Sequence, residues 1–212
     1  MTVVFGGVAV RPTPRLRARL AEPGLVVAAD AGAETALAFG LTPDVVVGDL
    51  DSLDPRVAAE LAGREVPIVR HPRDKDATDG ELAVEYALAH GPAEPLLLVG
   101  FLGGPRLDQL VANLELLVSL PSETMLLDER NEARLVRAGA SRSWTPEPDE
   151  VISLVPFGTD AVGVTTAGLR WPLLDARLPL GSTRGVSNEP VATSVTVSLA
   201  QGRLLVTRHF PS

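Results

Sequence analysis

Cysteine is absent from the 212 residues, which excludes disulfides, thiolate nucleophiles and cysteine-ligated metals. Histidine is scarce: His71, His90 and His209 are the three present, which leaves little to build a histidine-based zinc site. No apolar run approaches the ~18 residues that a membrane span needs. The opening MTVVFGGVAV lacks a basic start and a clear cleavage site, and it reads as a first buried strand rather than a secretory leader. Positive charge is also in short supply. The net charge is -8, the wrong sign for a broad nucleic-acid or anionic-membrane surface. The expectation is a cytoplasmic globular protein that binds neither. Lysine occurs once, at Lys75, inside the most polar stretch of the chain.

What is present is a substantial core and a clustered acid. Apolar residues make up 45% of the sequence, enough to bury a real interior. Short apolar runs at 3–10, 25–29, 45–48, 66–70, 96–100 and 124–127 alternate with helix signals. Thr13-Pro14 and Asp54-Pro55 place proline at a first helical position. Thr78 and Glu81 fit a capping box. Leu107, Leu110, Val111, Leu114 and Leu117 recur at helical spacing. Alternation of this kind predicts an α/β fold with an N-terminal, Rossmann-like, mainly parallel sheet and helices on both faces. Near residue 130 the pattern changes to short strands and turns, with runs at 133–137, 151–155, 161–166, 193–199 and 203–207. Val195, Val197 and Leu199 alternate with Thr196 and Ser198, as in a half-buried antiparallel strand. The expectation is therefore an α/β domain over 1–129 and a small all-β sandwich over 130–212.

Eight of the 13 aspartates fall between residues 30 and 79. Some have ordinary explanations: Asp54 caps a helix, and Asp44 follows a proline in a turn. Others follow predicted strands, where open α/β sheets bind ligands. Asp30 follows the second strand and Asp49 and Asp51 the third. Lys75, Asp76, Thr78 and Asp79 follow the fourth, and Gly103, Gly104, Arg106 and Asp108 the fifth. Carboxylates gathered at one edge repel, at roughly 4 kcal/mol for a pair ~4 Å apart in an effective dielectric of ~20. Oxygen ligands without histidine or cysteine favour magnesium or calcium. A lysine, an arginine and a glycine-rich helix start suit phosphate oxygens. Magnesium with a polyphosphate accounts for both signs of charge. No P-loop is present, because Lys75 is followed by aspartate.

These elements together resemble the thiamine pyrophosphokinase family. The resemblance is carried by Ala29-Asp30-Ala-Gly-Ala, Pro43-Asp-Val-Val-Val-Gly-Asp-Leu-Asp-Ser52, Lys75-Asp-Ala-Thr-Asp79, Gly103-Gly-Pro-Arg-Leu-Asp-Gln109 and Gly185-Val-Ser-Asn-Glu189. It implies a nucleotide-binding catalytic domain, a thiamine-binding and dimerisation β-sandwich, and a homodimer with active sites between subunits. It implies that thiamine and ATP give thiamine diphosphate and AMP. Gly168-Leu-Arg-Trp171 matches an element whose tryptophan stacks on thiamine. The chain departs from the bacterial pattern at Pro105, which is inserted, and at Gln109, which stands in place of histidine.

On that reading Asp49, Asp51 and Asp79 hold one or two magnesium ions against ATP, with Asp76 supporting the loop. Lys75 and Arg106 neutralise phosphate oxygens, and Thr78 lies on the nucleotide side. Asp108 orients the thiamine hydroxyl or takes its proton. Asp30 faces substrate or braces its loop, and Ser187, Asn188 and Trp171 shape the thiamine pocket. Two other readings fit the same residues: a diphosphokinase for another alcohol such as a hydroxymethylpterin, and a non-catalytic nucleotide sensor.

Overall fold

The structure is a computed structural model that describes residues 1–92 and 95–211. The chain divides into two compact units, Met1–Glu129 and Arg130–Ser212. No helix among the described residues is long and apolar enough to cross a membrane.

The first unit is built on six parallel strands in the order β4-β3-β2-β1-β5-β6. They are β1 (Thr2–Phe5), β2 (Leu25–Ala29), β3 (Val45–Gly48), β4 (Ile68–Arg70), β5 (Leu96–Val99) and β6 (Thr124–Leu127). The central strands read as continuous apolar runs because both faces are covered. One face packs Val3, Phe5, Val26, Ala28 and Val46 with residues of α1 (Pro14–Arg19), α2 (Gly32–Ala38) and α3 (Pro55–Gly63). The other receives α4 (Asp79–His90), whose Ala83, Val84 and Ala87 are buried. Three helix starts, those of α1, α3 and α4, are ones the sequence signals. Thr13 accepts from Leu16 N–H, Asp54 from Arg56 N–H and Thr78 from Glu81 N–H.

The order 4-3-2-1-5-6 reverses direction at the β1/β5 junction. There the chain leaves both strands early. Gly6 N–H donates to Val99 O at 2.7 Å and Val8 N–H to Gly100 O at 3.1 Å. A Cβ on Gly6 would lie 2.7 Å from Gly100 O. Only glycine allows this approach, and the bare backbone floors a crevice at the switch point. For the same reason β1 stops at Phe5 rather than running to residue 10. Helix α5 (Leu107–Leu116) forms where its spacing predicts, but none of its residues is buried. Leu107 is 72% exposed and Val111 51%.

The second unit is a β-sandwich. One antiparallel sheet has the order β7-β13-β9, from Asn131–Arg137, Arg203–His209 and Val151–Pro156. The other has the order β11-β10-β12-β8, from Ala176–Leu178, Ala161–Ala167, Val195–Ser198 and Ser141–Trp144. Ile152, Leu154, Leu204 and Val206 from the first meet Val164, Leu178, Val195 and Val197 from the second. At the margin of this core Arg208 is 6% exposed. Its guanidinium lies 2.5 Å from Glu150 and 3.5 Å from Glu132, between the rings of Trp144 and Phe210. Trp144 Nε1 also donates to Glu150 Oε1 at 3.1 Å. Glu150 thus ties Arg208 on β13 to Trp144 on β8, while Glu132 holds the same arginine from β7. Arg208→Met would leave two buried carboxylates without this cation. We expect it to destabilise the protein by about 3–5 kcal/mol, read as a lower urea midpoint.

Candidate active site

Strand β3 ends in Gly48, and the next residues turn sharply, with φ of +66° at Leu50. Asp30 at the end of β2 is also left-handed, with φ of +43°. Such backbone conformations are strained for non-glycine residues and concentrate at functional sites. Here the two strained residues hold each other: Leu50 N–H donates to Asp30 Oδ1 at 3.0 Å. A Cβ on Gly48 would lie 2.0 Å from that same oxygen, so glycine at 48 is what lets the Asp30 carboxylate lie against the neighbouring strand end. Asp49 Oδ1 accepts from Asp51 N–H at 3.0 Å, which orients the Asp49 carboxylate. Thr78 starts α4 and places Asp79 in its first turn.

The three turns bring Asp30, Asp49 and Asp79 together, with one carboxylate oxygen from each within 4.8 Å of the others. Asp51 stands outside this group. Its side chain is half exposed and lies 3.5 Å from Arg73, although it lines the same cleft. Asp30, expected to face substrate or brace a loop, is therefore the third carboxylate of the cluster. Its separation from Asp49 in the chain hid this, although it directly follows an apolar strand and belongs to the Ala29-Asp30-Ala-Gly-Ala element. Lys75 enters the cluster from the loop before α4. Its Nζ is 2.5 Å from Asp79 Oδ1 and 3.8 Å from Asp49 Oδ2. Asp76 is exposed to solvent.

The electrostatics follow from burial and proximity. Burial raises the Asp30 pKa, and the charges of Asp79 and Asp49 add to the effect; the Leu50 amide and Lys75 oppose it, leaving the group at about 6. The Asp51 amide holds Asp49 below the usual carboxylate range, helped by Lys75. Burial works against the charge on Lys75, but its hydrogen bond to Asp79 and the surrounding carboxylates outweigh this and raise its pKa. Three carboxylates and one ammonium leave two negative charges uncompensated when all are ionised. An all-oxygen donor set with that deficit fits a hard divalent cation such as magnesium.

Beside the cluster lies a cleft of about 480 Å³ whose lining includes Gly6, Gly7, Gly100, Gly103, Gly104 and Gln109. Backbone without side chains suits the close approach of phosphate and ribose. Arg106 also lines it, but its guanidinium is paired with Asp108. That hydrogen-bonded pairing lowers Asp108 to about 2.

The second unit carries a separate cleft, also of about 480 Å³, lined by Trp171, Arg184, Ser187 and Asn188 among others. Trp171 is 55% exposed, so it is not a core residue. Arg170 stacks over its ring at 5.7 Å and pairs with Glu189 at 2.9 Å. Asn188 is buried, and its side chain is committed to the Trp171 backbone. It accepts from Trp171 N–H at 3.1 Å and donates to Trp171 O at 2.8 Å. Asn188 thus fixes the tryptophan loop. Ser187, with φ of +62°, lies on the cleft wall.

The first unit sets an acidic cluster beside a glycine-floored cleft, and the second leaves a tryptophan exposed at a cleft of its own. Such parts suit a transferase of phosphate-containing groups. Residues 17–127 match the model of the thiamin pyrophosphokinase catalytic domain. Residues 144–204 match the thiamin pyrophosphokinase vitamin B1 binding domain. The chain is 30% identical over 198 residues to the thiamine pyrophosphokinase of Bacillus subtilis (strain 168), covering 92% of both chains. A crystal structure of thiamine pyrophosphokinase from Bacillus subtilis superposes with a TM-score of 0.88 at 26% identity, over 100% of each chain. That of Geobacillus thermodenitrificans superposes with a TM-score of 0.83 at 26% identity, over 100% of this chain and 99% of the other. The chain belongs to the thiamine pyrophosphokinase family.

The raised Asp30 pKa has a testable sign. The folded protein holds this proton more tightly than the unfolded chain, whose aspartate titrates near 3.8. Without metal, stability contributed by protonated Asp30 is lost as the pH rises from about 4 to about 6. Asp30→Asn keeps an oxygen for the Leu50 amide and removes the charge. In EDTA it should melt above the wild type at pH 7.5, with the gap closing below pH 6, as read by thermal denaturation across pH.

Proposed function

We propose that this protein transfers the diphosphate of ATP to the hydroxyethyl group of thiamine, giving thiamine diphosphate and AMP. The observation that carries the reading is the convergence of Asp30, Asp49, Asp79 and Lys75 at the carboxyl ends of a parallel sheet, beside a glycine-floored cleft.

Asp49, Asp79 and Asp30 would hold magnesium, and Asp51 lines the same cleft. When bound, that ion would neutralise charge on the phosphates. The remaining work falls to the chain's own residues. Lys75 and Arg106 bind the phosphate oxygens, and Thr78 starts the helix whose first turn faces them. The thiamine hydroxyl oxygen forms a bond to the β-phosphorus as the bond from that phosphorus to the α-bridging oxygen breaks; AMP leaves with the electron pair, and the hydroxyl proton passes to Asp108 or to solvent water. Such transfer depends mainly on alignment and charge neutralisation. Asp108, paired with Arg106 in the free chain, orients the thiamine hydroxyl or takes its proton once Arg106 turns to the phosphates. Trp171 presents its ring to the cationic thiazolium, and Asn188 keeps it in position.

The working form in this reading is a cytoplasmic homodimer with sites shared between subunits. The exposed Leu107 and Val111 on α5 and the exposed Leu174, Leu180 and Val191 support it, since apolar groups left uncovered favour association.

Incubation with ATP, MgCl2 and thiamine, followed by nucleotide chromatography, tests the reaction. AMP should appear in step with thiamine diphosphate, and a hydroxymethylpterin should not replace thiamine. ADP as the nucleotide product, or no turnover, would refute the reading. In the same assay Trp171→Ala should raise the thiamine KM roughly 3–30-fold, the range expected for a lost cation–π contact, with little change in kcat.

A further inference from the structure

Lys75 stands where a cation of the acidic cluster belongs. Its Nζ contacts Asp79 Oδ1 at 2.5 Å and lies 3.8 Å from Asp49 Oδ2, while oxygens of these two residues and Asp30 lie within 4.8 Å of one another. Its side chain is 13% exposed, and the ammonium touches carboxylates from two different turns. Magnesium binds oxygen at about 2.0–2.1 Å. An ion held by Asp49 and Asp79 would draw on the carboxylates that Lys75 now pairs with, and two cations a few ångströms apart would repel. The flexible four-carbon stem of lysine allows the ammonium to move without a change in the backbone. Lys75 lines the acidic cleft, and a polyphosphate bound there would offer its ammonium new oxygens.

From this contact, and resting on the proposed phosphate chemistry, we infer that Lys75 is a built-in counter-ion that exchanges with the divalent cation. In the free protein it holds the carboxylates of Asp79 and Asp49 together. When the ion enters, Lys75 releases Asp79 and its ammonium passes to the phosphates. Metal and nucleotide then assist each other's binding, because each removes the penalty the other would face: the ion displaces Lys75, and the phosphates receive it.

The chain contains a single lysine, so lysine labelled with ¹³C at Cε yields one side-chain NMR signal. In EDTA that signal should lie at an ion-paired position. Addition of MgCl2 alone should move it toward the position of free lysine, and in Asp79→Asn it should lie near that position already in EDTA. A wild-type signal that keeps its EDTA position at millimolar MgCl2 overturns the inference. Lys75→Met provides a second readout. It should melt below the wild type in EDTA and show a larger rise in Tm on adding MgCl2; an equal rise overturns the exchange. Neither measurement uses thiamine or turnover. Failure to form thiamine diphosphate would therefore count against the proposed function alone, and an immobile lysine in an active enzyme against the exchange alone.

Discussion

Three carboxylates brought within 4.8 Å of one another repel, and the backbone around them is arranged to hold them there regardless. Leu50 and Asp30 adopt left-handed conformations and are joined by a hydrogen bond. Gly48 gives up its side chain so that the Asp30 carboxylate can lie beside β3. Thr78 fixes the first turn of α4 and with it Asp79. Strain and like charge oppose folding, so their persistence needs a compensating partner. Lys75 supplies part of it in the free chain, and a divalent ion with phosphate supplies the rest in the proposed reaction. The remainder of the first unit serves this constraint: a parallel sheet sends its strand ends to one edge, and helices on both faces keep those ends rigid.

The second unit solves a different problem. A tryptophan must stay exposed without collapsing onto the core, and the fold does this from behind. Asn188 bonds to both backbone groups of Trp171, and Arg170 lies over its ring while held by Glu189. Elsewhere in the unit Glu150 is held both by Arg208 on β13 and by Trp144 on β8, which links strands of the two sheets. Polar side chains thus set the placement of the aromatic face, while the apolar core of the sandwich sets the stability.

Much of this was legible in the residues. The buried strands appear as unbroken apolar runs, and three helices announce their starts through Thr13, Asp54 and Thr78. The misses have physical causes. Helix α2 is short, rich in alanine, and has no side-chain cap at Ala31, so no local signal marks it. Strands β8 and β11 are brief and largely polar or exposed, and only tertiary pairing defines them. The apolar stripe of α5 has the period of a buried helix, yet none of its residues is buried. At the site, Asp49 and Asp79 stood out from their motifs. Asp30 did not, because its place in the cluster depends on the absent Cβ of Gly48. Asn188, expected to shape the pocket, lines the same cleft as Trp171 and also bonds both backbone groups of that residue, a bracing role that no local signal marks.

The most direct test of this account is a crystal structure of the protein soaked in MnCl2, with the metal located by anomalous scattering. The account predicts a peak bounded by carboxylate oxygens of Asp30, Asp49 and Asp79, with the Lys75 ammonium moved away from Asp79. A metal bound elsewhere, or a cluster that stays closed around Lys75 with no peak, would contradict it.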